Sequence, residues 1–305
     1  MKRREFLRDI AVGSLALHAG PSLFAQKINF PDLAFVQGES PELITKEAIA
    51  AIGGIKRFIS TGDSVLVKPN IGWDRTPEQA ACTNPEVVKA LVELCLEAGA
   101  KQVKVMDNPC NQAARTYARS GIAEASKEAG AKVPLPSPHR LKKVSLKGEW
   151  LKEWEVYTDF LEADKIINVP IAKTHSLSRV TLGMKNWLGA LGGNRNQLHQ
   201  SLDQAMVDLA SFFKPCLTVL DAYRVLIRNG PQGGRISDVQ LRKTVVAGVD
   251  YVAVDAMGTT FFGINPPDMP YLRLAHRKGH GEIDLSSLHI EKINLSTLHL
   301  EKRTI

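Results

Sequence analysis

Cysteine is scarce in this sequence, and its spacing excludes the usual metal-binding motifs. The 305 residues include four cysteines, and no two of them form a C-x-x-C pair. A zinc ribbon or a ferredoxin-type iron–sulfur cluster is therefore not expected. Cys95 lies on the apolar face of a predicted helix and Cys216 precedes a predicted strand, which predicts two core thiols. Cys82 and Cys110 fall in predicted loops, where they could form a disulfide or one could ligate a metal.

Long hydrophobic runs and a strong net charge are also missing. No apolar run after the N-terminal segment has the ~20 residues of a transmembrane helix, so we expect no membrane span in the mature chain. The formal net charge of +7 mildly favours anionic ligands but is too small to predict nucleic acid binding. The segment "GPQGG" at 230–234 lacks the G-K-[ST] ending of a phosphate-binding loop, so no nucleotide site is expected there.

The N-terminal segment is typical of a targeting signal. It has a basic start and then a weakly apolar stretch, Ile10–Ala19, which is too short to span a bilayer. Arg3 and Arg4, followed by E-F-L, resemble the twin-arginine export motif; an ordinary amphipathic helix is the alternative. We predict a signal peptide over 1–25, export to the periplasm by the twin-arginine translocase, and a mature domain over 26–305. Because that route carries folded proteins, a bound metal ion is compatible with it.

Strand and helix patterns alternate along the rest of the chain. Predicted strands cover 64–71, 102–107, 163–175, 217–222 and 242–248, and predicted helices cover 84–99, 117–131 and 250–263. Asn84 and Asp250 stand at helix N-caps, and Gly99 and Gly130 end helices. Two similar tail segments, "LSSLHIEK" and "LSTLHLEK", suit edge strands or a hairpin. The alternation predicts an α/β fold with a mostly parallel sheet and helices on both faces.

Polar residues stand where the predicted strands end. Lys68 and Asn70 end one strand, Asp107 another, Lys173 and His175 a third, and Asp221 a fourth. Ligands bind at the carboxyl ends of strands in such sheets, so we expect these side chains to converge at one edge. Taken singly, each lysine could be a solvated surface charge, and each aspartate could cap the helix that follows it.

The segment "PIAKTHSLSRVTLGMKNWLGALGG" at 170–193 places charged residues among apolar ones. Lys173 and His175 are two residues apart, so on a strand they point to the same face. Lys185 and Asn186 follow in a stretch of helical periodicity, at the edge of the expected pocket. The expected apolar walls of this pocket are Ile171, Val180, Met184 and Trp187.

Lysines beside a histidine suit an anion, such as a carboxylate, a phosphate or an enolate-like transition state. Crowding lowers a lysine's pKa, which makes it a candidate base or Schiff-base nucleophile, and histidine could act as an acid or base or ligate a metal. The candidates are Lys173, His175 and Lys185 for catalysis; Lys68, Asn70 and Asn186 for substrate binding; Asp107, Cys110 and His175 for a metal; and Asp107 and Asp221 as counter-charges of the empty pocket.

Five segments resemble the domain-of-unknown-function family DUF362. They are "VLVKPNI", "TNPEVVKALVELCLEAGAKQVKVMD", "YARSGI", "IINVPIAKTHSLSRVTLGMKNWLG" and "VVAGVDYVAVDAMGTTFFG". The "AKTH…VTLGMKN" block is the most specific of these, and the resemblance covers roughly residues 60–290. More loosely, the layout is similar to the nickel-dependent lactate racemase superfamily, with lysine and histidine in a deep cleft.

The family resemblance leaves three classes of function open. Members are often described as iron–sulfur-centre proteins because many carry a fused ferredoxin segment, and this sequence has no such segment. The classes are an enzyme acting on a small anionic substrate, with or without a metal; a redox or metal-centre accessory protein; and a periplasmic binding protein without catalysis.

Overall fold

The computed structural model describes residues 29–295, which contain eleven strands and nine helices. The strands are β1 (Leu33–Gln37), β2 (Ser64–Pro69), β3 (Gln102–Val105), β4 (Leu141–Ser145), β5 (Glu153–Tyr157), β6 (Lys165–Val169), β7 (Ile171–His175), β8 (Arg179–Thr181), β9 (Leu217–Leu226), β10 (Val239–Gly248) and β11 (Ile290–Asn294). The helices are α1 (Pro41–Ala51), α2 (Pro85–Glu97), α3 (Ala113–Arg119), α4 (Ile122–Glu128), α5 (Thr158–Glu162), α6 (Gly183–Asn186), α7 (Leu202–Phe213), α8 (Tyr251–Thr260) and α9 (Pro270–Arg277). The predicted signal peptide, with Arg3 and Arg4, lies outside the described residues.

Nine of these strands form one sheet in which parallel pairs predominate. Its main path runs β11–β1–β10–β9–β6–β2–β3. Parallel neighbours are β2 with β3 and β6, β9 with β6 and β7, and β1 with β11. Strand β10 is antiparallel to β1 and β9, and β8 is antiparallel to β7. The predicted α/β fold with a mostly parallel sheet is confirmed.

Helices cover both faces of the sheet, as predicted. Residues of β2 show the division, because alternate side chains of a strand point to opposite faces. Val65 and Val67 pack in a core with residues of α1, α2 and α4. Leu66 packs in a second core with residues of α7, α8 and α9. The strand is therefore buried on both sides, which explains its nearly continuous apolar sequence.

Two predicted helix starts are present as the capping pattern indicates. Asn84 accepts a hydrogen bond from the backbone N–H of Glu86, and Pro85 occupies the first helical position of α2. Asp250 accepts from two backbone N–H groups in the first turn of α8. Gly99, just after α2, has a φ of +95°, a left-handed conformation that favours glycine.

Two predicted elements are each divided in the structure. The helix predicted over 117–131 is α3 and α4, separated at Gly121, whose φ of +72° breaks the helical path. The strand predicted over 163–175 is β6 and β7, separated at Pro170, which has no N–H for a sheet hydrogen bond. This second break matters for the site. Strand β6 lies between β2 and β9, whereas β7 pairs with β9 and β8.

The C-terminal strand lies at a sheet edge. Strand β11, in the first of the two similar tail segments, pairs in parallel with β1, as expected for an edge strand. Most of the second tail segment lies outside the described residues. Between residues 29 and 295, no helix combines the length and the apolar character needed to cross a membrane.

Candidate functional site

A cavity of about 360 Å³ opens at the carboxyl ends of β2, β3 and β7. The structure brings together most of the residues that the sequence singled out. Those that line the cavity are Asn70, Asp107, Cys110, Lys173, His175, Lys185 and Asn186. Lys68 lies behind the lining and Asp221 lies elsewhere. The prediction that polar strand ends converge at one edge is therefore confirmed for the ends of β2, β3 and β7, by the geometry that parallel strands impose. It is wrong for Asp221, which lies within β9 and not at its end.

Lys68 is fully buried and forms an ion pair with Asp107. Its Nζ donates to Asp107 Oδ1 at 2.6 Å, to the carbonyl oxygen of Pro69 at 3.0 Å and to Asn186 Oδ1 at 3.1 Å. Burial lowers the pKa of Lys68, and the Asp107 carboxylate opposes that shift. All three protons of the ammonium are in use, so Lys68 has no donor left for a substrate. Its predicted role in substrate binding is replaced by a role in holding Asp107 and Asn186.

Asn186 joins this ion pair to the lining of the cavity. Its Oδ1 accepts from Lys68 and, at 3.0 Å, from Asn70 Nδ2. Its Nδ2 donates to Asn168 Oδ1 at 2.9 Å and to the Lys68 carbonyl oxygen at 3.3 Å. Every hydrogen-bonding position of the amide is thus used inside the protein. Asn186 reaches the cavity wall, but its geometry makes it a support for its neighbours.

Lys173 is buried, and the structure fixes two of its three donors. Its Nζ donates to the carbonyl oxygen of Ala81 at 2.6 Å and to Asn70 Oδ1 at 2.9 Å. Burial lowers the pKa of Lys173 to about 8. The chain Lys173–Asn70–Asn186–Lys68 is therefore a continuous hydrogen-bonded network that sets the position of the Lys173 ammonium while leaving one proton for a ligand.

Lys185 is the exception among the buried lysines of the cavity. It is 8 % exposed, and within residues 29–295 its ammonium has neither a hydrogen-bond nor an ion-pair partner. Burial, followed by the neighbouring Lys173 and more weakly by Arg195, lowers its pKa to about 8. The ammonium is thus largely removed from bulk solvent without a counter-charge among the described residues, which disfavours its charged form.

The short helix that carries Lys185 is held by an aspartate from another helix. Asp255 of α8 accepts from the backbone N–H of Gly183 at 2.6 Å and from that of Met184 at 2.9 Å. Gly183 is required here, because a Cβ would come within 2.7 Å of Asp255 Oδ1. Asp255 thus caps α6 and fixes the backbone from which Lys185 extends.

His175 is neutral and its tautomer is set by the backbone. Its Nδ1 accepts from the N–H of Leu177 at 3.0 Å and from that of Ser178 at 3.4 Å, so the ring proton resides on Nε2. Burial, followed by Lys185 and Lys173, lowers the pKa of His175 to about 3. The imidazole is therefore a hydrogen-bond donor at neutral pH.

The predicted metal ligands do not form a metal site. Among the described residues no group of three or more His, Cys, Asp or Glu side chains is placed to hold an ion. Both oxygens of Asp107 are in use, since Oδ2 accepts from the N–H of Ile71 at 2.6 Å. His175 carries its proton on Nε2, where a metal would need the lone pair. Cys110 is exposed. This donor set does not fit a cation.

The cysteines are free in the described structure. Cys95 is buried in a core and Cys216 packs against the same core, as expected. Cys82 is buried, its thiol lies 3.1 Å from the carbonyl oxygen of Trp73, and burial raises its pKa. A disulfide between Cys82 and Cys110, one of the two alternatives for these loop cysteines, is not formed.

Asp221 and the predicted walls differ from expectation. Asp221 accepts from the backbone N–H of Asn84 at 2.7 Å and of Tyr223 at 2.9 Å, and burial raises its pKa to about 6. Among the described residues it forms no ion pair with a lysine, so it is not a counter-charge of the cavity. The expected wall residues Ile171, Val180, Met184 and Trp187 are in the hydrophobic cores. The apolar lining is Trp73, Leu177 and Leu188 instead.

Sequence reasoning missed two further residues of the lining, Arg195 and His199. Arg195 donates to the carbonyl oxygens of Asn108 at 2.8 Å, Pro109 at 2.9 Å and Leu188 at 3.3 Å. Within the described chain it has no acidic partner. These residues follow the "GALGG" segment in a stretch without clear periodicity. Their only sequence signal was their closeness to Lys185.

The cavity as a whole carries a positive field. Lys173, Lys185 and Arg195 line it, and the acidic group among the lining residues, Asp107, is neutralised by Lys68. In a partly closed space with apolar walls, each of these charges acts more strongly than it would in water. The arrangement suits a small anion.

Residues 65–260 match the family DUF362, a domain of unknown function. Because the match covers more than half of the chain, the protein belongs to this family. The chain is also 28% identical over 243 residues to a thylakoid-associated protein of Synechocystis sp., across 75% of this chain and 72% of that protein.

Two solved structures are similar in part. The lactate racemase apoprotein of Thermoanaerobacterium thermosaccharolyticum is 11% identical with a TM-score of 0.45, over 75% of this chain and 56% of the racemase. A protein of Thermotoga maritima is 13% identical with a TM-score of 0.41, over 74% of this chain and 60% of that one. The chain thus spans less than two thirds of either structure.

Proposed function

We propose that this DUF362 protein is an enzyme that acts on a small anionic substrate bound in the cavity. The observation that carries the proposal is the ammonium of Lys185, which is 8 % exposed and has no partner within the described residues. A buried charge without a partner costs several kcal/mol. An anion in the cavity would supply the missing counter-charge.

Two other cations at the cavity wall would contribute to binding. Lys173 has one proton left after its two internal hydrogen bonds, and Arg195 is held by three backbone carbonyl groups at the cavity wall. These two cations would orient a carboxylate or phosphate. A volume of about 360 Å³ lies near the lower end of the ~300–1,000 Å³ usual for ligand pockets, which favours a small molecule over a dinucleotide.

Catalysis is favoured over simple binding by the protonation states of Lys185 and His175. An amine with a pKa of about 8 exchanges its proton readily near neutral pH. A neutral imidazole with its proton on Nε2 can donate to an oxygen on which negative charge develops. Perturbed groups of this kind cluster at active sites. A protein that only binds an anion would need the cations, but it would not need an amine with a lowered pKa.

The candidate metal ligands do not support a metal-assisted reaction. For the same reason they do not support a redox or metal-centre accessory protein. Asp107 and His175 are both committed to hydrogen bonds inside the protein. The binding protein remains the competing function, and turnover separates it from an enzyme.

The proposal is tested by binding and by turnover. Thermal unfolding should be measured with acetate, lactate, pyruvate, phosphate and sulfate, and the anions that stabilise the protein should then be followed by NMR for chemical change. We expect Lys185→Met to lose the stabilisation and Lys142→Met, at an exposed position on β4, to retain it. If no anion stabilises the wild type, the anion site is wrong. If anions bind and all remain unchanged, the protein is a binding protein.

We also propose that the chain is exported by the twin-arginine route. The support is the sequence motif formed by Arg3 and Arg4 with the apolar stretch after them. Replacing both arginines by lysine should retain the precursor in the cytoplasm, as detected by cell fractionation. Unchanged delivery to the periplasm would contradict the assignment.

A further inference from the structure

We propose that Lys185 is an amine nucleophile that captures its substrate as a Schiff base, so that the substrate is a small carboxylate with an adjacent ketone or aldehyde group. This inference rests on the proposed anion-binding function of the same cavity and names its substrate class. It follows from the position of one amine relative to the other charged groups around the cavity.

The first argument is the availability of the nitrogen. Lys68 uses three donors inside the protein and Lys173 uses two, whereas Lys185 uses none within the described residues. An amine must lose a proton before its lone pair can attack a carbonyl carbon. Lys68 would have to give up a hydrogen bond of its ion-paired ammonium to do so. Lys173 could lose its remaining proton, but its two hydrogen bonds hold its nitrogen in place. The nitrogen of Lys185 has no such restraint within the described residues.

The second argument is the electrostatic surroundings of that nitrogen. The charged and titratable groups that face it are Lys173, Arg195, Cys110, His175 and His199. The two cations disfavour its protonated form, and His175 is neutral. With a pKa of about 8, roughly one amine in ten is unprotonated at pH 7, against about one in several thousand for an ordinary lysine.

The third argument is that the cavity supplies the rest of the chemistry. Arg195 and the free donor of Lys173 would hold the carboxylate. When the nitrogen of Lys185 bonds to the neighbouring carbonyl carbon, the π electron pair moves to the carbonyl oxygen, which the Nε2–H of His175 can stabilise. The nitrogen gives up its two protons and the oxygen takes up two, so that the C–O bond breaks, the oxygen leaves as water and a C=N bond remains. Trp73, Leu177 and Leu188 form an apolar part of the cavity lining beside this group.

The experiment traps the imine on the full chain. The protein is incubated with pyruvate or glyoxylate and sodium cyanoborohydride, which delivers a hydride to the imine carbon and leaves a stable secondary amine. Peptide mapping by mass spectrometry then locates the adduct. With pyruvate we expect Lys185 to gain the mass of pyruvic acid less one oxygen atom. Trypsin should also fail to cleave after Lys185, giving a peptide that runs from Val180 to Arg195.

Internal and variant controls define the result. Labelling of Lys185 should exceed that of the exposed Lys142 by roughly tenfold or more at pH 7, because far more of the buried amine is unprotonated. Lys185→Arg keeps the charge but cannot form an imine, so it should give no adduct while still being stabilised by lactate, which has the carboxylate without the carbonyl.

The outcomes separate this inference from the proposed function. If pyruvate and lactate both stabilise the wild type and no adduct forms on Lys185, the Schiff base is wrong and the anion site stands. An adduct on Lys173, or spread evenly over exposed lysines, also overturns the inference. If none of the probes stabilises the protein and none labels it, the anion site and the Schiff base are both wrong.

Discussion

Two buried lysines of the site differ in their hydrogen-bond partners, and that difference separates a supporting role from a functional one. Lys68, behind the cavity, donates to Asp107, Asn186 and a backbone carbonyl group. Lys185, on the cavity wall, donates to nothing within the described chain. Both are nearly inaccessible to solvent. Burial alone would give them the same role. The difference lies in the partner. An ammonium with a counter-charge supports the fold, whereas one without a counter-charge is available to bind a ligand.

The comparison predicts opposite effects of the same substitution. Lys68→Met should destabilise the protein by about 3–5 kcal/mol, because it leaves the buried Asp107 carboxylate without its counter-charge. Urea unfolding at pH 7 measures the change. The double variant Lys68→Met/Asp107→Leu should recover part of the loss, since it removes the stranded charge as well. A single variant as stable as the wild type would mean that the pair contributes nothing.

A methyl group added beside the Lys68–Asp107 ion pair should also lower the stability of the protein. In Gly189→Ala the new Cβ would lie 1.8 Å from Asp107 Oδ1 and 2.9 Å from Lys68 Nζ, so the ion pair must move. We expect a loss of roughly 1–3 kcal/mol in unfolding free energy. Gly72 lines the same cavity, but a Cβ there would lie 3.1 Å from Asn70 Oδ1. Gly72→Ala is therefore the matched control and should cost distinctly less.

Lys185→Met should stabilise the anion-free protein by roughly 1–3 kcal/mol at pH 7, because methionine fills the space without a buried charge. The folded-state pKa of about 8 lies below the ordinary value of 10.5. The penalty of the native lysine is therefore fully present below pH 8 and disappears as the pH rises towards 10.5. The advantage of the variant should shrink over that interval. A loss of stability in the variant at pH 7 would show that the ammonium has a partner.

The smallest effect concerns pH and binding. The affinity for lactate should fall as the pH rises through about 8, because Lys173 and Lys185 both lose their protons there, while Arg195 stays charged. His175 is neutral throughout this range. Isothermal titration calorimetry between pH 6.5 and 9.5 would show the decline, with a limit of about tenfold per pH unit for each ammonium lost. A flat profile would exclude both lysines from the anion site.

The sequence predicted the layers of the fold and the edge at which the site lies, because both follow from strand order and polar strand ends. The sequence pattern also predicted that Lys173, His175 and Lys185 are neighbours in the cavity. It placed Lys68 in substrate binding and Lys185 in catalysis, but it could not show that Lys68 has an internal partner. That partner is Asp107, which follows β3 and pairs with Lys68.

The errors have physical causes of the same kind. Trp187 looked like a cavity wall, but it stacks on Phe213 at 4.7 Å between ring centroids and belongs to the core. Asp221 looked like a counter-charge, but nearby backbone N–H groups take both of its oxygens. The sequence around Arg195 shows no clear helix or strand periodicity, so the pattern did not predict Arg195 as a site residue. In each case long-range packing chose between side-chain directions that the local pattern allowed.

The break at Pro170 has a consequence for how such proteins could diverge. After it, the chain leaves β6, and Lys173, His175 and Lys185 follow within one continuous stretch that ends where Trp187 enters the core. The reactive groups are thus encoded together, on a scaffold whose remaining strands and helices are specified elsewhere. Exchange of this stretch between relatives would transfer the three reactive groups together, provided that the residues which hold them, Asn70 and Asp255, are present in the recipient. Substitutions within this short segment could then change the substrate range, while the other strands of the sheet remain under the same selection.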